Sequence, residues 1–206
     1  MNPFALHGRV FLGLLPLLIP LLGTAGDQSL DDRYYLRSDV GYAVQNQLRL
    51  TIASVKYDLN TKDGIRCDIA FGYRLNHWFA VEAETGMAFT RLEDVGQHDY
   101  YQVPLLANFV LSYPGEKFRP FFSLGAGGAE LIAVPRKLPS GSSEPTAETD
   151  LVASGQVATG LQYRITKHFE FGLGYKLLFA APATFRYAHI DTSLTHSFFA
   201  SLRYNF

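Results

Sequence analysis

The 206 residues carry a formal net charge of −1, so there is neither a basic excess to recruit nucleic acid nor an acidic tail. At 48% hydrophobic and 14% aromatic the chain has too much apolar surface to stay disordered, and its length suits one domain. Tyr (12), Phe (16) and Gly (18) are abundant while Trp and Cys occur once each, a profile of short aromatic strands with glycine between them.

The chain opens with a short, weakly basic stretch, Met1 to Arg9, followed by the apolar run Val10–Leu22 and the small residues Gly23, Thr24 and Ala25. That order is the order of a secretory signal, with cleavage expected after Ala25 and residues 26–206 as the exported domain. A helical membrane anchor needs ~20 apolar residues, and this run is shorter and is broken by Pro16 and Pro20. No cysteine stands directly after the run, at the cleavage site, so lipoprotein processing is not expected. Cys67, alone in an exported chain, has no intramolecular disulfide partner and falls at an apolar strand position.

After the signal, no stretch approaches ~18 uninterrupted apolar residues, so no transmembrane helix is expected. Alternation with period two recurs instead, and it predicts eight strands. In chain order they are Tyr34–Val44, Ile65–Leu75, Phe79–Arg91, Tyr100–Tyr113, Phe118–Val134, Leu151–Ile165, Phe169–Ala180 and Thr195–Phe206. Their connections alternate in length. Asn76-His77-Trp78, Pro114-Gly115-Glu116-Lys117 and Thr166-Lys167-His168 are tight turns. Gln45–Gly64, Leu92–Asp99, Pro135–Asp150 and Ala181–Leu194 are long and polar, and Pro135–Asp150 is rich in Pro, Ser and Thr.

One face of each strand is continuously apolar, as in Phe169, Phe171, Leu173, Tyr175, Leu177 and Phe179. The other is small, polar or charged, as in Glu170, Gly172, Gly174 and Lys176. A soluble barrel alternates too, with its apolar face inward. Strand lengths beyond the usual five or six residues, aromatic strand ends and the alternating apolar row that ends at Phe206 select a membrane barrel. Short turns at one rim with long loops at the other describe the same class. The fold class is therefore all-β, an eight-stranded antiparallel up-and-down transmembrane barrel.

The chain resembles the eight-stranded outer-membrane β-barrel proteins of the OmpA-like and opacity-protein group. The residues that carry the resemblance are Tyr35 to Tyr42 (YLRSDVGY), Phe71-Gly72-Tyr73-Arg74-Leu75, Phe121 to Gly128 (FFSLGAGG), Phe171-Gly172-Leu173-Gly174-Tyr175 and Arg203-Tyr204-Asn205-Phe206. Phe198, Leu202, Tyr204 and Phe206 resemble the terminal signal by which such barrels meet their assembly machinery. The periplasmic peptidoglycan-binding domain of two-domain members has no counterpart in the sequence. The resemblance implies an outer-membrane location, contact with lipid and lipopolysaccharide, a monomer, and no cofactor.

Counted inward by period two, the lumen receives Arg37, Arg66, Arg74, Arg119, Arg164, Lys176 and Arg203, with Asp39, Asp68, Glu82, Glu84 and Glu170. Eight strands leave an interior that side chains just fill, so these charges are expected to pair into a plug, with Arg74 against Glu82. A narrow aqueous path is the alternative. An enzyme is weighed on His189, Asp191, Ser193, His196 and Ser197, which lie close in sequence near the last long connection. They match no deacylase motif, and a serine nucleophile needs an adjacent base and an orienting group. The six His show no metal-ligand spacing. The expected function is structural, with four loops facing out; surface binding and a small pore are the rivals.

Overall fold

The computed structural model describes residues 33–46, 48–52, 55–59, 61–92, 98–135, 148–185 and 188–206. The expected signal segment Met1–Ala25 lies outside these residues, as does 136–147 of the Pro-, Ser- and Thr-rich connection. Twelve strands appear among the described residues: β1 (Tyr34–Gln45), β2 (Leu48–Ile52), β3 (Val55–Leu59), β4 (Thr61–Arg74), β5 (Phe79–Leu92), β6 (His98–Ser112), β7 (Phe118–Pro135), β8 (Glu148–Arg164), β9 (Phe169–Ala180), β10 (Ala183–Phe185), β11 (Ala188–Ile190) and β12 (Ser193–Asn205).

Eight of them close a barrel in the order β1-β12-β9-β8-β7-β6-β5-β4, with β4 returning to β1. All eight correspond to the strands expected from alternation, and every neighbouring pair is antiparallel. Closure leaves no strand edge, which is the condition for a sheet to sit in hydrocarbon. Burial follows the period-two pattern. In β6, Gln102, Pro104, Leu106, Asn108 and Val110 are buried inside, while Leu105, Phe109 and Leu111 are exposed on the outer wall. Cys67 lies on that outer wall as well.

Two girdles of paired rings mark the rims. Tyr34–Tyr73, Phe118–Tyr163, Phe169–Tyr204 and Trp78–Tyr113, at 5.0 to 5.6 Å between centroids, circle the short-turn end. Phe89–Tyr101 and Tyr175–Phe198 lie toward the other end. Aromatic belts of this kind sit at the two membrane–water interfaces.

Two of the short turns are built alike. Asn76 Oδ1 accepts from the backbone N–H of Trp78 and Phe79 at 2.8 and 3.0 Å. Thr166 Oγ1 accepts from His168 and Phe169 at 3.2 and 3.0 Å. In each a short polar side chain supplies the bond that the backbone lacks in the turn.

The wall has two irregularities. A bulge between Lys62 and Ile65 in β4 places Gly64 where a Cβ would lie 1.7 Å from the Phe89 carbonyl oxygen, so only glycine fits. Pro104, in mid-β6, has no N–H to give, and Gly86 and Met87 of β5 have no partner in the ladder beside it. Thr85 Oγ1 donates to the Pro104 carbonyl at 2.9 Å and holds the seam from the side.

The long connections Gln45–Gly64 and Ala181–Leu194 contain more than irregular chain, which corrects the sequence reading. They supply β2, β3, β10 and β11, which assemble into a second four-stranded sheet, β10-β11-β2-β3. Strands of three to five residues are too short for alternation to register against turn chemistry. The second sheet is tied to the barrel rim by a bond from Thr184 N–H to Asp150 Oδ2, at 2.8 Å.

Candidate functional site

The lumen is filled in tiers, each set by which residues face inward at one height. At the long-connection end it is apolar. Tyr100, Leu131 and Val152 from the wall close on Phe185 and Ile190, which β10 and β11 fold back over the opening. Beneath lies a neutral polar tier, all buried. Thr90 Oγ1 donates to Gln45 Oε1 at 2.9 Å, Gln102 Nε2 to Ser193 Oγ at 3.1 Å, and Thr195 Oγ1 to Gln102 Oε1 at 2.8 Å.

The middle tier is ionic. Lys176 Nζ lies 2.6 Å from Asp39, 2.8 Å from Asp68 and 2.8 Å from Glu84. Arg66 Nε binds Asp68 at 2.8 Å and its Nη2 reaches Glu84 at 3.4 Å. Arg37 Nη2 binds Glu84 at 2.8 Å and Glu82 at 3.0 Å. Asn108 and Gln156 each donate an amide hydrogen to Glu84, at 2.8 and 3.1 Å. No member of this tier is more than 7% exposed. A lone buried charge is very costly, and here Lys176, Arg66 and Arg37 meet Asp39, Asp68, Glu84 and Glu82 in direct ion pairs.

Toward the short-turn end, rings take over. Tyr35, Phe121 and Phe199 are buried together with Ala80, Val110 and Ala158. Tyr35 Oη donates to Glu82 at 2.7 Å, while the guanidinium groups of Arg203 and Arg74 lie 4.2 and 5.0 Å from its ring centre. The ring lies flat on Gly72, where a Cβ would stand 2.1 Å from Tyr35 Cζ. The last tier gathers Arg119, Arg203, Arg74 and Arg164 around the Glu170 carboxylate, at 3.1, 3.4, 3.7 and 3.8 Å.

All twelve inward charges named from the sequence thus occur in two clusters, one around Glu84 and one around Glu170. The expected Arg74–Glu82 pair needs correction. Glu82 turns to Arg37 and Arg203, whereas Arg74 reaches Asn205 Oδ1 at 2.6 Å and Glu170. The register explains this: Glu82 lies opposite Gly72, and Arg74 lies opposite Ala80, one inward position nearer the rim. Neutral residues that complete the network, Tyr35, Asn108 and Gln156, were not singled out from the sequence. Their inward parity with the neighbouring charges was the available signal.

The weighed catalytic residues are not brought together. Ser193 and Ser197 point into the lumen, whereas His196 is on the outer wall, its Nδ1 2.5 Å from Tyr175 Oη. Consecutive strand residues face opposite ways, so Ser197 and His196 cannot pair. His189 bonds Thr184 and stands 4.0 Å from Asp191, both about half exposed on the second sheet. The carboxylates of Asp39, Asp68 and Glu84 converge within 4.8 Å from three strands, a grouping invisible to sequence spacing, and the cation they enclose is Lys176. Of the terminal row, Phe198, Leu202 and Tyr204 are exposed on the outer wall, and Phe206 N–H donates to Tyr34 O at 3.1 Å.

Residues 17–206 match the family model described as "Outer membrane protein beta-barrel domain". The chain belongs to that family. That places it in the outer membrane, where bacterial barrels of this kind have short turns on the periplasmic side. Among solved structures the chain is similar to Neisserial surface protein A, at 14% identity and TM-score 0.58, covering 84% of this chain and 97% of that one. It is also similar to the outer membrane protein OprG from Pseudomonas aeruginosa, at 12% identity and TM-score 0.52, over 84% and 97%. It is similar as well to the outer membrane protease OmpT from Escherichia coli, at 9% identity and TM-score 0.53, over 88% and 99%. At these identities the likeness is one of fold. No curated protein sequence matches.

Proposed function

We propose that this outer membrane protein beta-barrel is a sealed structural element of the envelope, without catalytic activity, that holds four long connections at the cell surface. The observation that carries the reading is the Glu84–Lys176 tier: charges in balance, hydrogen-bonded across the lumen and shut off from solvent. Above it the neutral and apolar tiers close the outer half. An ion crossing this lumen has to break several buried ion pairs at once. In planar bilayers the purified protein is expected to give no resolved conductance steps; steady, ion-selective steps would replace the seal with a pore.

Lipid and lipopolysaccharide are the partners that the outer apolar wall fits, and the barrel-assembly machinery is the partner we assign to the row Phe198, Leu202, Tyr204 and Phe206. β12 is the strand that closes the barrel on β1, so recognition and closure act on one element. Phe206→Ala is expected to reduce the heat-modifiable, folded fraction in outer membranes several-fold, with Phe122→Ala, on the outer wall of β7, close to wild type. Equal folded fractions for the two variants argue against a terminal signal.

A further inference from the structure

Among the described residues, the lumen charge is balanced except at the periplasmic mouth. Arg37, Arg66 and Lys176 offset Asp39, Asp68 and Glu84, and Arg203 lies 3.7 Å from Glu82. There Arg74, Arg119 and Arg164 gather around the Glu170 carboxylate at 3.7, 3.1 and 3.8 Å, and Arg74 also donates to Asn205 Oδ1. The adjoining turns add Lys117 and Lys167 against Glu116.

That mouth has hydrogen-bonding capacity to spare. Arg203 is 3% exposed, and its Nε and Nη2 donate no hydrogen bond. Gln162, 1% exposed and directly opposite Arg119 on the neighbouring strand, uses neither its amide nitrogen nor its oxygen. A recess at this end is lined by Arg74, Arg119 and Arg203, from three different strands, with Ser112 and the rim residues His77 and Trp78. Buried donors without acceptors are costly in a finished structure, and guanidinium forks are matched to oxyanions.

We propose that the periplasmic mouth is a binding site for a phosphate oxyanion, held by Arg74, Arg119 and Arg203. Glu170 satisfies one side of the arginine group, and the phosphate neutralises the other. Three arginines approaching from three strands suit an acceptor with several outward oxygens. Two sources offer that chemistry, free phosphate in the periplasm and the headgroup of an anionic phospholipid in the inner leaflet, which the Trp78–Tyr113 pair brings within reach at the interface. The site does not depend on whether the lumen above it conducts.

Trp78 is the one tryptophan of the chain, so its fluorescence reports on this recess directly. The protein, purified in dodecyl maltoside, which carries no phosphate, is titrated at constant ionic strength with inorganic phosphate and separately with dihexanoyl phosphatidylglycerol. A saturable change is expected. Saturation by inorganic phosphate identifies the free ion, and saturation by the lipid alone identifies the headgroup. Arg119→Gln and Arg74→Gln are each expected to raise the half-saturating concentration at least tenfold, while Arg91→Gln, at the opposite end of the barrel, leaves it unchanged. Folding is checked by mobility without boiling, and if one variant does not fold the other decides. No saturation by either probe, or titration of the folded arginine variants like the wild type, overturns the proposal.

Discussion

Glu84→Ala is expected to cause the largest loss of stability of any single substitution in the lumen. Glu84 accepts from Lys176, Arg37, Asn108 and Gln156, and Arg66 stands 3.4 Å away. Its removal leaves Lys176, Arg66 and Arg37 with Asp39, Asp68 and a Glu82 that Arg203 also shares. It takes away the one carboxylate that all three cations contact, in a tier that is closed to water. Removing one partner from a buried pair costs roughly 3–5 kcal/mol, whereas a hydrated pair is worth about 1 kcal/mol or less. Urea titration of the folded barrel, followed by unboiled gel mobility, is the measurement. Glu116→Ala, in an exposed turn, serves as the reference. A Glu84→Ala midpoint within about 1 kcal/mol of that reference would show a wet lumen and remove the argument for a seal.

The second large effect is expected at Gly72. A Cβ there meets the Tyr35 ring at 2.1 to 2.6 Å, and the ring has little room to yield because it bonds Glu82 and is stacked on by Arg203 and Arg74. Overpacking costs about 1–3 kcal/mol, and loss of a hydrogen bond to a charged group adds about 1.5–3 kcal/mol. Gly72→Val is therefore expected to destabilise by about 3 kcal/mol or more. Shortening the ring makes room, so Tyr35→Ala combined with Gly72→Val should lose clearly less than the two single changes added together. Strict additivity would show that the two residues do not meet.

Much of this architecture was legible in the chain because a strand writes its two faces alternately. Phe169 to Phe179 against Glu170 to Lys176 is enough to orient a whole wall, and the eight strands follow from the same rule. What alternation lacks is height. It assigned Arg74 and Glu82 to one interior, but only the register shows that they stand at different levels and choose different partners. It also has little to say about strands of three residues, so the hairpin carrying Phe185 and Ile190 into the outer mouth read as a polar loop. The clustering of Asp39, Asp68 and Glu84 around Lys176 depends on four strands meeting at one level, information that closure supplies and sequence neighbours do not.

The paired turns around Asn76 and Thr166 have a wider consequence. The stretches Tyr73-Arg74-Leu75-Asn76-His77-Trp78-Phe79 and Tyr163-Arg164-Ile165-Thr166-Lys167-His168-Phe169 share Tyr, Arg and Phe at the same spacing. They end hairpins β4–β5 and β8–β9, which stand half a circumference apart in the eight-stranded ring. The two turns therefore face each other across the lumen and carry Arg74 and Arg164 inward from opposite sides to one carboxylate. The symmetry fails one residue beyond the shared Phe, where β9 has Glu170 and β5 has Ala80. A symmetric pair of turns would have set an acid beside each arginine; here Arg74 and Arg164 both reach the one carboxylate of Glu170, so the two hairpins are tied together across the lumen.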